Sequence, residues 1–342
     1  MLTETELYLV ICIASSKLLI EKIICVKSEE KFKEACSIIH KHVLEILLIN
    51  ADDKPMKVSI VSLTCCAGCV SSFLNAGEAL LEILSGDFEI VYSPTFVDLK
   101  EIPNVDLAIV EGGVRTKEDE KLIREIRAKS QILVALGICA THGGVTSLGD
   151  MLSLKKILEK EYSLADSSRL PELEDLMHPI CDFVDVDYYV PGCPPMPFLT
   201  VHTLKSIVSG KKPIRHQTVV CTECHRKIIP AKLDRLYGIY EKEVDPQLCL
   251  VSQGFICLGS LTREGCGAPC SRAGFTCFGC RGPPDSLLYR SRDMYAFLVQ
   301  VISKRTSISE EKVKEELYRN PFIFHTFIFS RFERFKARER VI

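Results

Sequence analysis

Residues 57–70 read KVSIVSLTCCAGCV, a short apolar run that ends in adjacent cysteines and a further cysteine three positions on. The run 58–63 has the length and apolar content of a strand buried on both faces of a parallel sheet. Working outward, the same test predicts strands at 88–92, 106–110, 131–136 and 186–190, with helices at 71–84, 117–129 and 197–208. The helix KEDEKLIREIRAK at 117–129 places Leu122, Ile123 and Ile126 on one face and charges on the other. Strand-then-helix order repeated in this way predicts an α/β fold with a doubly wound parallel sheet, since crossover helices cover both faces. Ligands of such sheets gather beyond the carboxyl ends of the strands.

That rule gives the cysteines meaning. Cys66 and Cys69 follow the first strand, Cys139 in GICATHGG (137–144) follows strand 131–136, and Cys193 in PGCPP (191–195) follows strand 186–190. Three loops then bring four thiols to one sheet edge, the usual complement for an iron–sulfur cubane. Read alone, C-x2-C also suits zinc or dithiol exchange, and an isolated cysteine is often a small buried hydrophobe. Of the adjacent pair, the spacing favours Cys66 over Cys65. No GxGxxG fingerprint, Walker lysine or GxSxG elbow is present, so neither nucleotide binding nor a serine triad is expected. Glu111 in VEGGV (110–114) and His142 reach the same edge, the first readable as a solvated loop carboxylate, the second as a structural neighbour.

After a basic linker at 210–215 the chain changes character. Cys221, Cys224, Cys249, Cys257, Cys266, Cys270, Cys277 and Cys280 fall within 60 residues, enough for two further four-cysteine cubanes. Two zinc sites and a disulfide cage remain alternatives at this point. The segment is glycine-rich, so metal coordination is expected to replace an extended apolar core, with Phe255, Phe275 and Phe278 packed around the sites. Cys12, Cys25, Cys36, Cys65 and Cys181 lie outside the three quartets and receive no metal role.

Composition bounds the rest. The 342 residues are 47% hydrophobic and 26% charged, with 43 Lys and Arg against 45 Asp and Glu. That balance excludes a disordered, collagen-like or strongly basic nucleic-acid-binding chain. Seventeen cysteines in a chain of this size point to metal ligation in a reducing compartment rather than to a secreted disulfide framework. Residues 7–24 are apolar, but Lys17 and Glu21 interrupt them and no basic segment precedes them, so membrane anchoring is not expected and a cytoplasmic location is. The expected division is an appendage at 1–55 that includes a helical pattern at 28–47, a sheet domain at 56–215, and a cysteine-rich domain with a tail at 216–342. The basic end RFERFKARERV (331–341) reads as a solvated helical end.

These motifs together resemble the small, electron-transfer subunit of nickel–iron hydrogenases: CAGC (66–69), VEGGV, GICATHGG, PGCPP, CTEC (221–224), and from Cys249 the spacing C-x7-C-x8-C-x3-C-x6-C-x2-C. The likeness covers about residues 57–283 and is nearest the cytoplasmic viologen-reducing type associated with heterodisulfide reductase in methanogenic archaea. A deazaflavin-reducing hydrogenase is a near alternative, and a quinone oxidoreductase subunit or a zinc-stabilised structural protein are others. The resemblance implies a flavodoxin-like doubly wound sheet followed by a small cysteine-rich iron–sulfur domain. It further implies three 4Fe-4S clusters: a proximal one at Cys66, Cys69, Cys139 and Cys193, a distal one at Cys221, Cys224, Cys249 and Cys257, and a medial one at Cys266, Cys270, Cys277 and Cys280. The implied partners are a large subunit holding the nickel–iron centre, a 2Fe-2S electron-transfer subunit and heterodisulfide reductase, with no nucleic acid. Exported relatives have histidine where this chain has Cys221, proline near the position of Cys270 and often glutamate where it has Cys65, so an all-cysteine, three-cubane version is expected.

Overall fold

The strand β1, Met56–Ser62, opens a sheet of five parallel strands in a computed structural model that describes residues 55–151, 171–288 and 291–319. The apolar run at 7–24, the helical pattern at 28–47 and the basic end at 331–341 lie outside the described residues. The other sheet strands are β2 (Phe88–Tyr92), β3 (Val105–Glu111), β5 (Ser130–Leu136) and β7 (Tyr188–Val190), in the order β2-β1-β3-β5-β7. This is the flavodoxin-like order, whose direction of winding reverses between β1 and β3. Two strands outside the sequence reading, β4 (Val114–Thr116) and β6 (Leu173–His178), form a separate antiparallel pair.

The strands read as continuous apolar runs because both faces are covered. In β3, Leu107 and Ile109 join one core with Val58, Ile60 and Phe73, while Ala108 and Val110 join the opposite core with Ile123 and Ile126. Helices α1 (Gly68–Leu74), α2 (Glu78–Glu82) and α5 (Pro197–Val208) cover the first face, and α3 (Lys117–Lys129) and α4 (Gly137–His142) the second. Thr116 and Asp119 form a capping box at the start of α3, with acidic residues in its first turn and basic ones in its last. The single helix expected at 71–84 is instead broken at Asn75–Gly77, where Gly77 takes φ 62°, and ends in a π turn, Ile83–Asp87.

Beyond residue 215 the backbone makes short turns, then α6 (Pro269–Arg272), α7 (Asp285–Leu288), α8 (Ser291–Thr306) and α9 (Glu310–Arg319). The expectation that this segment lacks an apolar core is overturned. Leu298, Val299 and Ile302 of α8 and Val313 of α9 are fully buried against Val251, Leu258 and Leu261 from the cysteine-rich turns. Helices that follow the last cysteine supply the hydrophobic burial that the turns themselves cannot. Residues from Met56 onward form one unit.

Candidate metal centres

The register across the sheet sets the first quartet. Ser62 pairs with Glu111, Glu111 with Leu136 and Leu136 with Val190, so these four residues form one row at the carboxyl ends of β1, β3, β5 and β7. Cys66, Cys139 and Cys193 each lie three or four positions past that row, and Cys69 lies in the first turn of α1. The thiols are close enough to raise one another: burial first, then repulsion from Glu111, Cys139, Cys193 and Cys66, pushes the Cys69 thiol far up. Burial followed by the charges of Cys139, Cys280 and Cys66 raises Cys193 to about 11. Cys139 is also raised by burial, against hydrogen bonds from Thr146 and the Val145 amide that hold it down.

Glycine backbones let the sulfurs in. A Cβ on Gly137, which takes φ +89°, would stand 2.2 Å from Cys69 Sγ, and one on Gly144, at φ +58°, would stand 2.7 Å from Cys139 Sγ. No side chain is tolerated at either contact.

Glu111 is 1% exposed, so its reading as a solvated loop carboxylate is corrected. It accepts from Ser62 Oγ at 2.7 Å and from the backbone N–H groups of Cys69 and Val70 at 3.1 Å each. The carboxylate thus caps α1 from another strand, and α1 begins earlier than its own sequence signals indicate. Cys65 lies beside this carboxylate: burial raises its thiol to about 11, opposed by the Ala67 amide and reinforced by Glu111. His142 is buried, sits 2.7 Å from Thr141 Oγ1 through Nδ1, and packs under Gly282.

The second group lines one cleft. Cys221, Cys224, Cys249 and Cys257 share it with Arg226, Ser260 and Arg305, around about 380 Å³ of non-atom space including its open mouth. Cys257 is raised by burial to about 12 despite amide hydrogen bonds from Cys277 and Gly259. Arg305 Nη1 donates to Cys249 Sγ at 3.2 Å. Sequence reasoning missed this arginine; the signal was the i, i+4, i+8 apolar spacing of Met294, Leu298 and Ile302, which marks a helix whose last turn carries it.

In the third group Cys280 is raised by burial and by the charges of Cys266 and Cys270, and burial pushes Cys277 far up. Two close contacts join the groups. The Cys193 backbone amide hydrogen-bonds Cys280, and the Cys277 N–H donates to Cys257 Sγ at 3.2 Å. Glu223, between two cysteines of the second group, accepts from Gly265 N at 2.8 Å and Gly267 N at 3.1 Å on either side of Cys266. Of the three phenylalanines expected around the sites, Phe255 is buried, but Phe275 and Phe278 are 44% and 39% exposed. Cys181 is part-buried, and Cys12, Cys25 and Cys36 lie outside the described residues.

The donor sets suit clusters. Each quartet is all thiol, and in the first the sulfurs of Cys69 and Cys139 abut glycine backbone where a Cβ would collide. Four thiols apiece is the usual complement of a four-iron cluster. Among the described residues no helix is long and apolar enough to cross a membrane.

Comparison with known proteins agrees. The family described as NADH ubiquinone oxidoreductase, 20 Kd subunit, matches residues 66–207 and stops short of Cys221. The G polypeptide of the vhu F420-non-reducing hydrogenase of Methanocaldococcus jannaschii is 41% identical over 245 residues, covering 68% of this chain and 84% of the relative. The G polypeptide of the F420-non-reducing hydrogenase of Methanothermobacter marburgensis is 30% identical over 296 residues, covering 80% and 94%. A chain of a solved NAD+-reducing nickel–iron hydrogenase is 32% identical, with 47% of this chain and 95% of that chain covered at a TM-score of 0.43. At the first relative's identity and coverage, the chain belongs to the family of the G polypeptides of F420-non-reducing hydrogenases.

Proposed function

We propose that this chain relays electrons from dihydrogen, oxidised at the nickel–iron centre of a separate large subunit, through three 4Fe-4S clusters to a second redox protein. The observation that carries the reading is the pair of contacts between quartets. Cys193 meets Cys280 and Cys277 meets Cys257, so the group at Cys266–Cys280 lies next to both others. Each cluster, when bound, takes up and releases one electron at a potential set by its surroundings. The chain's own work is ligation, close spacing and exclusion of water. Burial raises the thiols of Cys69 and Cys257, so cluster assembly must drive their protons off, and the iron would then compensate the buried thiolates.

The roles follow the resemblance: proximal for Cys66, Cys69, Cys139 and Cys193, medial for Cys266, Cys270, Cys277 and Cys280, distal for Cys221, Cys224, Cys249 and Cys257. Cys66 is exposed while Cys277 is buried, as suits a first site that a large subunit covers and an enclosed middle one. The division of residues 56–342 at 215 into a sheet domain and a cysteine-rich domain belongs to the same reading. So do a 2Fe-2S subunit and heterodisulfide reductase as onward partners, and a cytoplasmic location. The test is iron per chain in the native complex purified without oxygen, corrected for partner-bound iron, with Cys193→Ser beside it. About twelve irons, falling to about eight with loss of hydrogen-dependent viologen reduction in C193S, support the reading. An unchanged iron content in C193S, or zinc in place of iron, sinks it.

A further inference from the structure

The second quartet differs from the others in receiving a hydrogen bond from a cation. Among the described residues, Arg305 is the one cationic side chain that donates to a sulfur, through Nη1 to Cys249 Sγ at 3.2 Å, and it lines the cleft shared by Cys221, Cys224, Cys249 and Cys257. It is not a loose surface arginine. Its backbone carbonyl accepts from Ala231 N at 2.9 Å, the next carbonyl, of Thr306, accepts from Leu233 N at 2.9 Å, and Leu298 and Ile302 of the same helix are fully buried. Among the described residues no carboxylate forms an ion pair with it. Arg226, on the same cleft, spends its guanidinium on the carbonyls of Ser271 and Leu248 and so shapes the loop without touching sulfur.

We infer that Arg305 is a positioning residue for electron exit: its guanidinium holds the Cys249 thiolate and raises the potential of the cluster carried by the second quartet. The inference rests on the relay reading above. Adding an electron makes a thiolate-bound cluster more negative, so a nearby cation and an N–H···S bond stabilise the reduced form more than the oxidised one. A guanidinium serves well because it keeps its charge at any working pH. The first quartet has the opposite environment, the buried carboxylate of Glu111 behind the Cys69 and Val70 amides. The Arg305 guanidinium favours the reduced form of the cluster at the exit end.

The experiment is an EPR-monitored redox titration of the native complex, wild type against R305M and R305K, with the second-quartet signal assigned by its loss in Cys249→Ser. R305M should shift the reduced-to-oxidised ratio of that cluster about tenfold toward oxidised at a given potential, ~59 mV downward for a one-electron couple. R305K should shift it less and in the same direction, while the other two clusters and hydrogen–deuterium exchange at the large subunit stay as in wild type. A wild-type midpoint in cluster-loaded R305M overturns the inference and leaves the relay standing. If R305M loses the cluster, R305K decides: a lowered midpoint supports the inference and an unchanged one overturns it. No cluster at the second quartet in the wild-type complex overturns relay and inference together.

Discussion

Replacing Glu111 by glutamine tests whether the first quartet depends on a buried anion. Glu111 accepts from Ser62 Oγ at 2.7 Å and from the N–H groups of Cys69 and Val70 at 3.1 Å each, with 1% of its surface exposed. Those amides have no partner within their own helix. Glutamine keeps the volume and one carbonyl oxygen, which can hold both amides while its NH2 group turns to Ser62, whose hydroxyl rotates to accept. What disappears is the charge. Hydrogen bonds to charged groups contribute about 1.5–3 kcal/mol and neutral ones roughly 0.5–1.5. Two amide bonds each weakened by about 1 kcal/mol therefore remove roughly 2 kcal/mol from the start of α1. That makes local opening about 30-fold more frequent. Anaerobic hydrogen-exchange mass spectrometry of the native complex, read on peptides spanning 66–74, measures it directly. Unchanged exchange at Cys69 and Val70 in E111Q would refute the capping argument. Glu111→Ala is the harsher comparison: three donors lose their acceptor at about 1–3 kcal/mol each, a large part of a typical stability of 5–15 kcal/mol.

Gly137→Ala should remove the first cluster alone, about four irons of twelve, because its Cβ would stand 2.2 Å from Cys69 Sγ at a backbone φ of +89°. Iron analysis checks it, and a full complement in G137A would contradict the packing described. After iron is stripped from the complex, alkylation of Cys193 should rise through a midpoint near 11 rather than 9.0, since burial disfavours the thiolate that reacts. The sign carries over to stability. Buried neutral thiols support the iron-free fold fully below pH 9.0, and that support is lost as pH rises through about 11 for Cys193 and about 12 for Cys257. A mass-spectrometric alkylation profile centred near 9 would show that Cys193 is not buried.

The sheet was legible because its signal is local. Strands buried on both faces appear as unbroken apolar runs, so β1, β2, β3 and β5 lie within a residue or two of their expected places, and strand-then-helix order puts their carboxyl ends at one edge. What failed was non-local. The start of α1 depends on a carboxylate 42 positions away from Cys69, and no window of sequence around Gly68 contains it. Glu111 reads as a loop residue because its burial is created by α1 closing over it. Phe275 and Phe278 were expected to pack inward on hydrophobicity alone, yet the tight turns around Cys277 leave them exposed. The core of the cysteine-rich segment comes from α8 and α9, beyond the last cysteine, so reading the turns alone could not find it.

The order of the three groups along the chain differs from their order in space, and two pins explain why. The group at Cys266–Cys280 comes last in sequence but touches both others. On one side Glu223 holds the amides of Gly265 and Gly267, which fixes Cys266 against the turn that contains Cys221 and Cys224. On the other side Arg281, 3% exposed, donates through Nη1 to Pro191 O at 3.2 Å and through Nε to Glu264 O at 3.0 Å, which fixes Cys280 against the loop that carries Cys193. Burial holds the Arg281 guanidinium below its usual range, while the neighbouring Cys266 and Cys280 act to raise it, as expected for a cation enclosed between two thiol sites. One pin is a carboxylate on backbone amides and the other a guanidinium on backbone carbonyls, and they share no partner atom. Each junction between the groups is therefore anchored through its own partner atoms. A chain that folds back on itself can place its last ligand group in the middle only if both ends of that group are anchored, and Glu223 and Arg281 are the anchors.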